Sequence, residues 1–536
     1  MRKKTSPAKT KRSAKPEPAT LPADATLLMA ERQSFDLIVI GSGPAGQKAA
    51  LSAAKMGKRV ALVDRNTMMG GVCIHTGTIP SKAIREAVLH FTGVKYRDLY
   101  GSDYTVKDRI TMDDLLQRAK VVSLAEASHI RQQMRRGNVH HIDGLASFLD
   151  PNTLVVTNGD QRHHIRGERI LIAVGTNPAR PANVPFTHGK VIDSNEILQM
   201  REMPSDLCVV GGGVIGCEYA AMFAACGVRV TLVDRANHLL GFLDEEVGES
   251  LQYRLRQMGV RLKLGEGVKD ISIAPGPGMR EDDDMVDGRG PVKLTLDSGK
   301  EIGCDVLLYS VGRQGATDGL DLENAGLTAD KRGRLSVNEN LQTDAGHIYA
   351  AGDVIGFPAL AATSMEQGRR AAEHMFAPEL LAQSNQTASE IIPYGIYTIP
   401  EISMIGETER SLTEKNVPFE VGIARYHEVA RCQLMSDTHG MIKLIFSPDD
   451  RRLLGVHAIG TQATEIIHIG QIAMAAKLPI DYFIDAVFNY PTLAESYKVA
   501  ATDGLNRLKL NKSASDGLER AKTLKMPEQQ STRRAA

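Results

Sequence analysis

The sequence predicts an α/β protein with two similar βαβ units and a separate C-terminal domain. The apolar run 36–40 leads into Gly41-Ser-Gly43-Pro-Ala-Gly46, then a helix-like stretch, then a second apolar run that ends at Asp64. Such continuous runs are typical of parallel strands buried on both faces. The same order recurs about 170 residues later, between Leu207 and Asp234. Beyond residue 386 no further Gly-rich turn occurs, which indicates another architecture there.

Length and composition exclude several classes of protein. The chain has 536 residues, a length that favours three or four domains. Its 64 Lys and Arg balance 64 Asp and Glu, which argues against nucleic acid or an anionic membrane as the main partner. No apolar run is long enough to cross a membrane. The 6 cysteines contain no Cys-x-x-Cys pair, so we predict a reducing, cytoplasmic location rather than a disulfide scaffold.

Both ends of the chain differ from the rest. Residues 1–34 are basic and rich in Pro, Ala, Ser and Thr, and they contain too few apolar residues to offset the entropy cost of ordering. We predict a disordered basic tail there and a second polar tail over residues 512–536. The Gly- and Pro-rich stretch from Pro275 to Pro291 predicts a surface loop.

Each Gly-rich turn carries the pattern Gly-x-Gly-x-x-Gly, at residues 41–46 and 211–216. In a βαβ unit the first glycine permits a tight turn, the second lets the backbone approach a pyrophosphate, and the third allows close helix–strand packing. The helix N-terminus offers free N–H groups and a partial positive charge to that pyrophosphate. Asp64 and Asp234 close the following strands, where a carboxylate can bind a ribose. We therefore predict two Rossmann-like dinucleotide-binding domains.

A third element lies at residues 343–353, where a short predicted strand ends in Gly352-Asp353. A carboxylate directly after a strand, beside a glycine that permits close approach, suits the hydroxyl groups of a ribityl chain. The same residues could also form an ordinary turn.

Together these motifs resemble the flavoprotein disulfide reductases, from Phe35 to Leu510. The resemblance implies that the first Gly-rich turn binds FAD, that the second binds NAD(P), and that the Gly-Asp element completes the flavin site. The FAD ligands that it implies are Gly41, Gly43, Gly46, Asp64, Gly71, Cys73, Gly175, Gly352 and Asp353. The ligands that it implies for the nicotinamide dinucleotide are Gly211, Gly213, Gly216, Asp234, Arg235 and Gly312.

The chain departs from that family at its thiol chemistry. The reductases have two redox cysteines in the segment that follows the second strand, and this chain has Cys73 and, in place of the second, Thr78. A threonine cannot form a disulfide, so Cys73 is interpreted as a packed small side chain. Near the C-terminus, Tyr490 occupies the position of the family's acid/base histidine. An ordinary tyrosine, with a pKa of about 10, exchanges protons poorly at neutral pH.

The family's ion pair beside the flavin has counterparts in Lys82 and Glu218. The resemblance places them where the nicotinamide must stack, and a lysine there can stabilise negative charge on the reduced flavin. A surface lysine and an unrelated helix glutamate are the alternative. With Thr78, these residues form the predicted catalytic set. The histidine pairs His140-His141 and His163-His164 lack the spacing of metal ligands, so no metal site is predicted.

The predicted domain order follows the family. After the basic tail come the first part of an FAD domain (residues 35–175), an NAD(P) domain (176–311), the second part of the FAD domain (312–385) and an α+β dimerisation domain (386–511). The resemblance implies a homodimer or a higher homo-oligomer, with no nucleic acid and no membrane as partner.

Because both dinucleotide sites remain while the disulfide is lost, electrons can leave the flavin only toward another acceptor. The simplest acceptor is a second nicotinamide nucleotide, which gives NADPH + NAD⁺ = NADP⁺ + NADH by a ping-pong route through reduced flavin. Residues 73–82, 395–403 and 489–495 most resemble the FAD-containing transhydrogenases of this family. The alternatives are a diaphorase or oxidase that reduces quinones or oxygen, a disulfide reductase that uses Cys73 with a distant thiol such as Cys432, and a flavin-bearing protein whose basic tail binds a polyanion.

Asp234 alone does not explain how the second site could accept NADP as well as NAD. Asp234 favours NAD, because its carboxylate should repel the 2′-phosphate of NADP. Arg235 and His238 follow directly in the sequence, and Arg is well suited to phosphate. We hypothesise that Arg235 binds the 2′-phosphate while Asp234 turns away.

Overall fold

A computed structural model describes residues 33–187, 189–274, 290–383 and 391–523. The basic tail up to residue 32, most of the predicted loop after Pro275, and the end of the polar tail lie outside these residues.

The described residues form 22 strands. In chain order, the strands of the first half are β1 (Ser34–Ile40), β2 (Val60–Asp64), β3 (His140–Asp143), β4 (Leu145–Asp150), β5 (Thr153–Asn158), β6 (Gln161–Ile172), β7 (Thr176–Pro178), β8 (Val191–Ile192), β9 (Asp206–Val210), β10 (Arg229–Asp234) and β11 (Arg261–Leu264). The strands of the second half are β12 (Val268–Ile273), β13 (Val292–Leu296), β14 (Glu301–Cys304), β15 (Val306–Tyr309), β16 (Arg313–Gly315), β17 (Ile348–Ala350), β18 (Tyr394–Ile396), β19 (Ile402–Gly406), β20 (Glu420–Arg425), β21 (Met441–Phe446) and β22 (Leu453–Ile459).

The α-helices of the described residues, in chain order, lie between and around these strands. They are α1 (Pro44–Lys55), α2 (Gly71–His75), α3 (Thr78–Thr92), α4 (Arg97–Tyr100), α5 (Met112–Arg136), α6 (Val214–Ala225), α7 (Glu245–Gln257), α8 (Ala361–Phe376), α9 (Pro378–Gln383), α10 (Glu409–Glu414), α11 (Ala430–Leu434), α12 (Ala463–Ala475), α13 (Asp481–Asp485) and α14 (Glu495–Thr523).

The first domain is built on a sheet in the order β3-β2-β1-β6-β5-β4, with β17 paired to β6. Strands β3, β2, β1, β6 and β17 run parallel, while β5 and β4 continue the sheet antiparallel. Strand β1 is central and its last four residues are buried, as its unbroken apolar sequence predicts. The carboxyl ends of these parallel strands form one edge, where ligands of open α/β sheets bind.

The second domain repeats this plan. A parallel sheet runs in the order β11-β10-β9-β15-β8, and a separate antiparallel sheet contains β12, β13 and β14. The chain passes from the first domain to the second through β7 and returns through β16, and these two strands pair with each other. The doubly wound architecture predicted from the two Gly-rich turns is therefore confirmed.

The third domain is an antiparallel sheet in the order β18-β19-β22-β21-β20, covered by α12 and α14. One apolar cluster joins all three domains, and it contains Val88 of α3, Leu232 of β10 and Ile402 of β19. The junction of the domains is thus packed rather than hinged through a linker.

The last helix extends beyond the predicted domain end. Helix α14 begins at Glu495 and continues to Thr523, past residue 511, so the start of the predicted polar tail is helical. Among the described residues, no helix combines the length and the apolar character needed to cross a membrane.

Candidate active site

The first Gly-rich turn forms an open cradle between β1 and α1. Gly41 has φ +101°, and a Cβ there would lie 2.4 Å from the carbonyl oxygen of Ala173. A Cβ on Gly46 would lie 1.9 Å from the Gly41 carbonyl oxygen, so both positions require glycine. Gly43 differs, because its Cβ would meet open space. The open face of Gly43 is where a ligand's phosphate can approach the backbone and the N-terminus of α1.

Asp64 lies at the end of β2 beside this cradle. Its Oδ2 accepts hydrogen bonds from the Ser42 amide at 2.8 Å and from the Ser42 hydroxyl at 2.6 Å. The Ser42 hydroxyl in turn accepts a hydrogen bond from the amide of Gly70, 2.9 Å away. Gly71 has φ +66°, and a Cβ on it would lie 2.9 Å from the Cα of Gly43. The start of α2, which carries Cys73, is therefore joined directly to the first turn.

The Gly-Asp element also reaches the first turn. Gly352 has φ +85°, and its Cβ would lie 3.2 Å from the Cβ of Ala45 in α1. The Gly352 amide donates to Gln367 Oε1 at 2.8 Å. Asp353 follows at once, and its Oδ1 is 3.4 Å from the Ser364 hydroxyl. The structure thus places Asp64 and Asp353 after the carboxyl ends of two strands of one sheet, with β1 and β6 between these strands.

The second Gly-rich turn reproduces the first. Gly211 has φ +107° and would place a Cβ 2.9 Å from the carbonyl oxygen of Ser310, while a Cβ on Gly216 would lie 1.9 Å from the Gly211 carbonyl oxygen. Gly213 faces open space, as Gly43 does. Asp234 at the end of β10 accepts from the Gly212 amide through Oδ2 and from the Ala236 amide through Oδ1.

Arg235 is exposed next to Asp234. A Cβ on Gly267 would lie 2.7 Å from Arg235 Nε and 2.1 Å from Asp297 Oδ2, so the two side chains meet over this glycine. The Arg235 side chain therefore lies beside Asp297, directly after the carboxylate that closes β10.

Gly175 and Gly312 lie at the two crossings between the domains. They have φ +69° and +85°, and a Cβ on either would meet open space. The Gly175 carbonyl accepts from Ala316 and the Gly312 carbonyl from Ala179, which fixes β7 against β16. Both glycines precede these short strands, so they can face a ligand without a side chain in between.

Cys73 and Thr78 are neighbours across the break between α2 and α3. Burial raises the pKa of the Cys73 thiol, and the hydrogen bond from Thr78 partly offsets that rise. Cys73 packs against the apolar cluster of the first domain, as the sequence interpretation expects. All 6 cysteines lie in the described part of the chain, and each is a free thiol.

Lys82 and Glu218 form an ion pair between the first two domains. The Lys82 ammonium lies 2.8 Å from both carboxylate oxygens of Glu218. The Glu218 side chain is only 5% exposed, whereas that of Lys82 is 25% exposed. Helix α3 supplies the lysine and α6 the glutamate, each one turn or more beyond the helix start that follows its own motif. The two helices therefore place a fixed positive charge at the junction.

Three residues at this junction were missed by the sequence analysis. The Tyr397 amide donates to Glu218 Oε1 at 2.9 Å, and the Lys82 ammonium lies 4.8 Å from the centre of the Tyr397 ring. Arg85, one turn after Lys82, pairs with Glu401 at 3.1 Å. The quoted motif 395–403 contains both Tyr397 and Glu401, but motif identity alone does not show what they contact.

Tyr490 lies at the surface of the described chain. It is 75% exposed, and Val487, three residues earlier in the segment before α14, is 96% exposed. An acidic group elsewhere, made of Asp244, Glu246 and Glu409, has the spacing of metal ligands. The buried Lys443 ammonium already lies among these carboxylates, 2.7 Å from Asp244 and 3.3 Å from Glu246, and offsets one of their three negative charges.

The fold and the paired cradles define a class of protein, and a family model agrees. The model described as pyridine nucleotide-disulphide oxidoreductase matches residues 35–368, and the model of that family's dimerisation domain matches residues 392–501. The chain belongs to the pyridine nucleotide-disulphide oxidoreductases.

Within that family, similar relatives carry one name. A protein of Mycobacterium tuberculosis named soluble pyridine nucleotide transhydrogenase is 49% identical over 479 residues, which cover 89% of this chain and 98% of the relative. A Yersinia enterocolitica protein of the same name is 43% identical over 485 residues, covering 90% of this chain and 100% of the relative.

Solved structures show the same fold. The HOCl-induced flavoprotein disulfide reductase RclA from Escherichia coli matches with a TM-score of 0.75 and 29% identity, over 87% of this chain and 99% of that chain. FAD is accordingly the cofactor and NAD(P) the substrate. The first cradle fits FAD, because Gly43 leaves space for phosphate while Asp64 and Asp353 offer carboxylates to the ribose and ribityl hydroxyls.

Proposed function

We propose that this chain catalyses NADPH + NAD⁺ = NADP⁺ + NADH by a ping-pong route, with FAD as the carrier and without a redox disulfide. The observation that carries the proposal is the segment of α2 and α3, where Cys73 has the hydroxyl of Thr78 as its neighbour rather than a second thiol. Relatives named for this activity support it, at 43% to 49% identity over nearly their whole length.

Each site residue has a role in this proposal. When bound, FAD takes a hydride from one nicotinamide nucleotide and gives it to another. Lys82 presents positive charge where negative charge develops, and Glu218 holds its ammonium in place. Thr78, at the start of α3, donates a hydrogen bond instead of acting as a thiol. The two cradles bind and orient the dinucleotides.

Steady-state kinetics tests the ping-pong route. Under anaerobic conditions, NADPH and thio-NAD⁺ should give parallel lines in double-reciprocal plots, because one product leaves before the second substrate binds. Intersecting lines would require both nucleotides on the enzyme at once and would overturn the proposal. Bleaching of the flavin without thio-NAD⁺ reduction would favour the diaphorase or oxidase, with quinone or oxygen as acceptor.

A reductive titration tests the absence of a redox disulfide. About one equivalent of NADPH per FAD should bleach the flavin fully, and Cys73→Ser should need the same amount, because no thiol pair takes up electrons first. Cys432, the other thiol considered, lies in the core of the third domain, where burial raises its pKa to about 12. Uptake of about two equivalents by the wild type and one by Cys73→Ser would establish a disulfide reductase instead.

Arg235 is expected to decide how the second cradle accepts NADP. Removing its guanidinium in Arg235→Ala should raise the KM for NADPH about 10-fold, since a charged hydrogen bond to phosphate is lost, and leave that for NADH unchanged. Asp297→Ala, next to Arg235 over Gly267, is the control for disturbance of the loop. Equal increases in the KM values for NADPH and NADH would show that Arg235 does not bind the 2′-phosphate.

We also propose a homodimer formed through the third domain. The dimerisation model covers residues 392–501, a range that includes the exposed Val487 and Tyr490. Cytoplasmic location remains part of this proposal.

A further inference from the structure

The Lys82–Glu218 pair has a third partner, supplied by the third domain. Tyr397 follows β18 directly, and it touches both charged residues in different ways. Its backbone N–H donates to Glu218 Oε1 at 2.9 Å, while its ring lies under the Lys82 ammonium, 4.8 Å from centre to nitrogen. The amide fixes the carboxylate, and the negative face of the ring attracts the ammonium.

Lys82 needs such a partner because its side chain is long and partly exposed. Besides Glu218, the ammonium has the Ser81 hydroxyl as an acceptor, 3.3 Å away, yet a four-carbon side chain that is 25% exposed can keep these contacts in several rotamers. A ring face on another side of the ammonium removes that freedom. The charge is then held at one point of the junction, which matters because a misplacement of about 1 Å can cost about 100-fold in rate.

Tyr397 is itself held rigidly. Its ring lies beside Thr464 at the start of α12, since a Cβ on Gly395 would lie 3.6 Å from the ring and 3.2 Å from the Thr464 methyl group. The Thr464 hydroxyl donates to Glu401 at 2.9 Å. Glu401 pairs with Arg85. Arg85 is only 3% exposed and also donates to the carbonyl oxygen of Thr398 at 3.0 Å. The segment 397–401 is thus clamped to α3, the helix that carries Lys82.

We propose that Tyr397 is a positioning residue for hydride transfer, which acts by fixing the Lys82 ammonium against Glu218. This inference rests on the proposed function, because that function gives Lys82 its role. It adds the third domain to a site that the two dinucleotide domains otherwise share. Tyr397 exchanges no proton and no electron; its contribution is the ring face and the amide.

The test is the reduction of bound FAD by NADPH in anaerobic stopped-flow experiments with the full chain. Tyr397→Leu should lower the maximal reduction rate about 5- to 20-fold and leave the half-saturating NADPH concentration unchanged, while Tyr397→Phe retains at least half of the rate. The double variant Tyr397→Leu/Lys82→Met should be no slower than Lys82→Met alone. FAD content and the flavin spectrum before mixing show whether each variant is intact.

A second substitution keeps the test decisive if the leucine variant loses FAD. Trifluorophenylalanine at position 397 keeps the ring shape but weakens its negative face, so it should be slower than Phe at the same position. Equal rates of flavin reduction with Phe, Leu and the fluorinated ring at position 397 would overturn the proposal. It would also be overturned if Tyr397→Leu slowed the Lys82→Met variant by the same factor as it slows the wild type. The reduction step involves no acceptor, so failure of the thio-NAD⁺ assay would refute the proposed function without deciding the role of Tyr397.

Discussion

Replacing Lys82 with methionine is expected to slow the reduction of bound FAD by NADPH about 100- to 1000-fold. This is the size of loss that follows removal of one preorganised charge or donor at a reacting centre. Methionine keeps most of the length and the apolar part of the side chain, so packing on α3 should persist. Anaerobic stopped-flow absorbance of the flavin measures the rate.

Two further variants separate this electrostatic effect from a loss of stability. Lys82→Met leaves the buried Glu218 carboxylate without its partner, so it should also lower the melting temperature. Adding Glu218→Gln should restore the melting temperature but not the rate. Lys48→Met, on the exposed face of α1, should change neither. If the double variant recovered the rate, the slow reduction of Lys82→Met would be structural, and the role given to the charge would be wrong.

The second large effect is expected at the third glycine of each cradle. A Cβ on Gly46 or on Gly216 would lie 1.9 Å from a backbone carbonyl oxygen, a clash that only a backbone shift can relieve. Gly46→Ala should therefore yield a protein without FAD. Gly216→Ala should stay yellow, yet its flavin should need about 10- to 100-fold more NADPH for reduction. FAD content and NADPH titrations measure the two outcomes.

A matched glycine-to-alanine substitution outside the cradles serves as the control. Gly303 in β14 faces open space, so Gly303→Ala should keep both FAD and the affinity for NADPH. Loss of FAD in Gly216→Ala with retention in Gly46→Ala would contradict the assignment of FAD to the first cradle.

The two βαβ units were predictable because their signals are local. An unbroken apolar run, three glycines at fixed spacing and a closing aspartate are all close in sequence, and the strands that they predict begin and end within about two residues of the observed ones. Strand β10, for example, ends at Asp234 as expected. The end of α14 could not be predicted in this way, because a helix without an apolar stripe has the same composition as a polar tail.

The contacts at the junction were not predictable in the same way. Lys82, Glu218 and Tyr397 are distant in sequence, and they meet only because α3, α6 and β18 pack around one apolar cluster. Nothing local to Tyr397 distinguishes it from any half-buried aromatic residue after a strand. The position of Arg235 against Asp297 depends in turn on Gly267, which lies in a different strand connection. Side-chain roles that depend on the packing of domains require the structure.

The most direct test of transhydrogenation separates its two halves. The enzyme is reduced with NADPH without oxygen, freed of nucleotide by anaerobic gel filtration, and mixed with thio-NAD⁺. We expect the flavin to regain its yellow colour while roughly one thio-NADH forms per FAD. A flavin that stays reduced in the presence of thio-NAD⁺, and is reoxidised only when oxygen, a quinone or a disulfide is added, would contradict it.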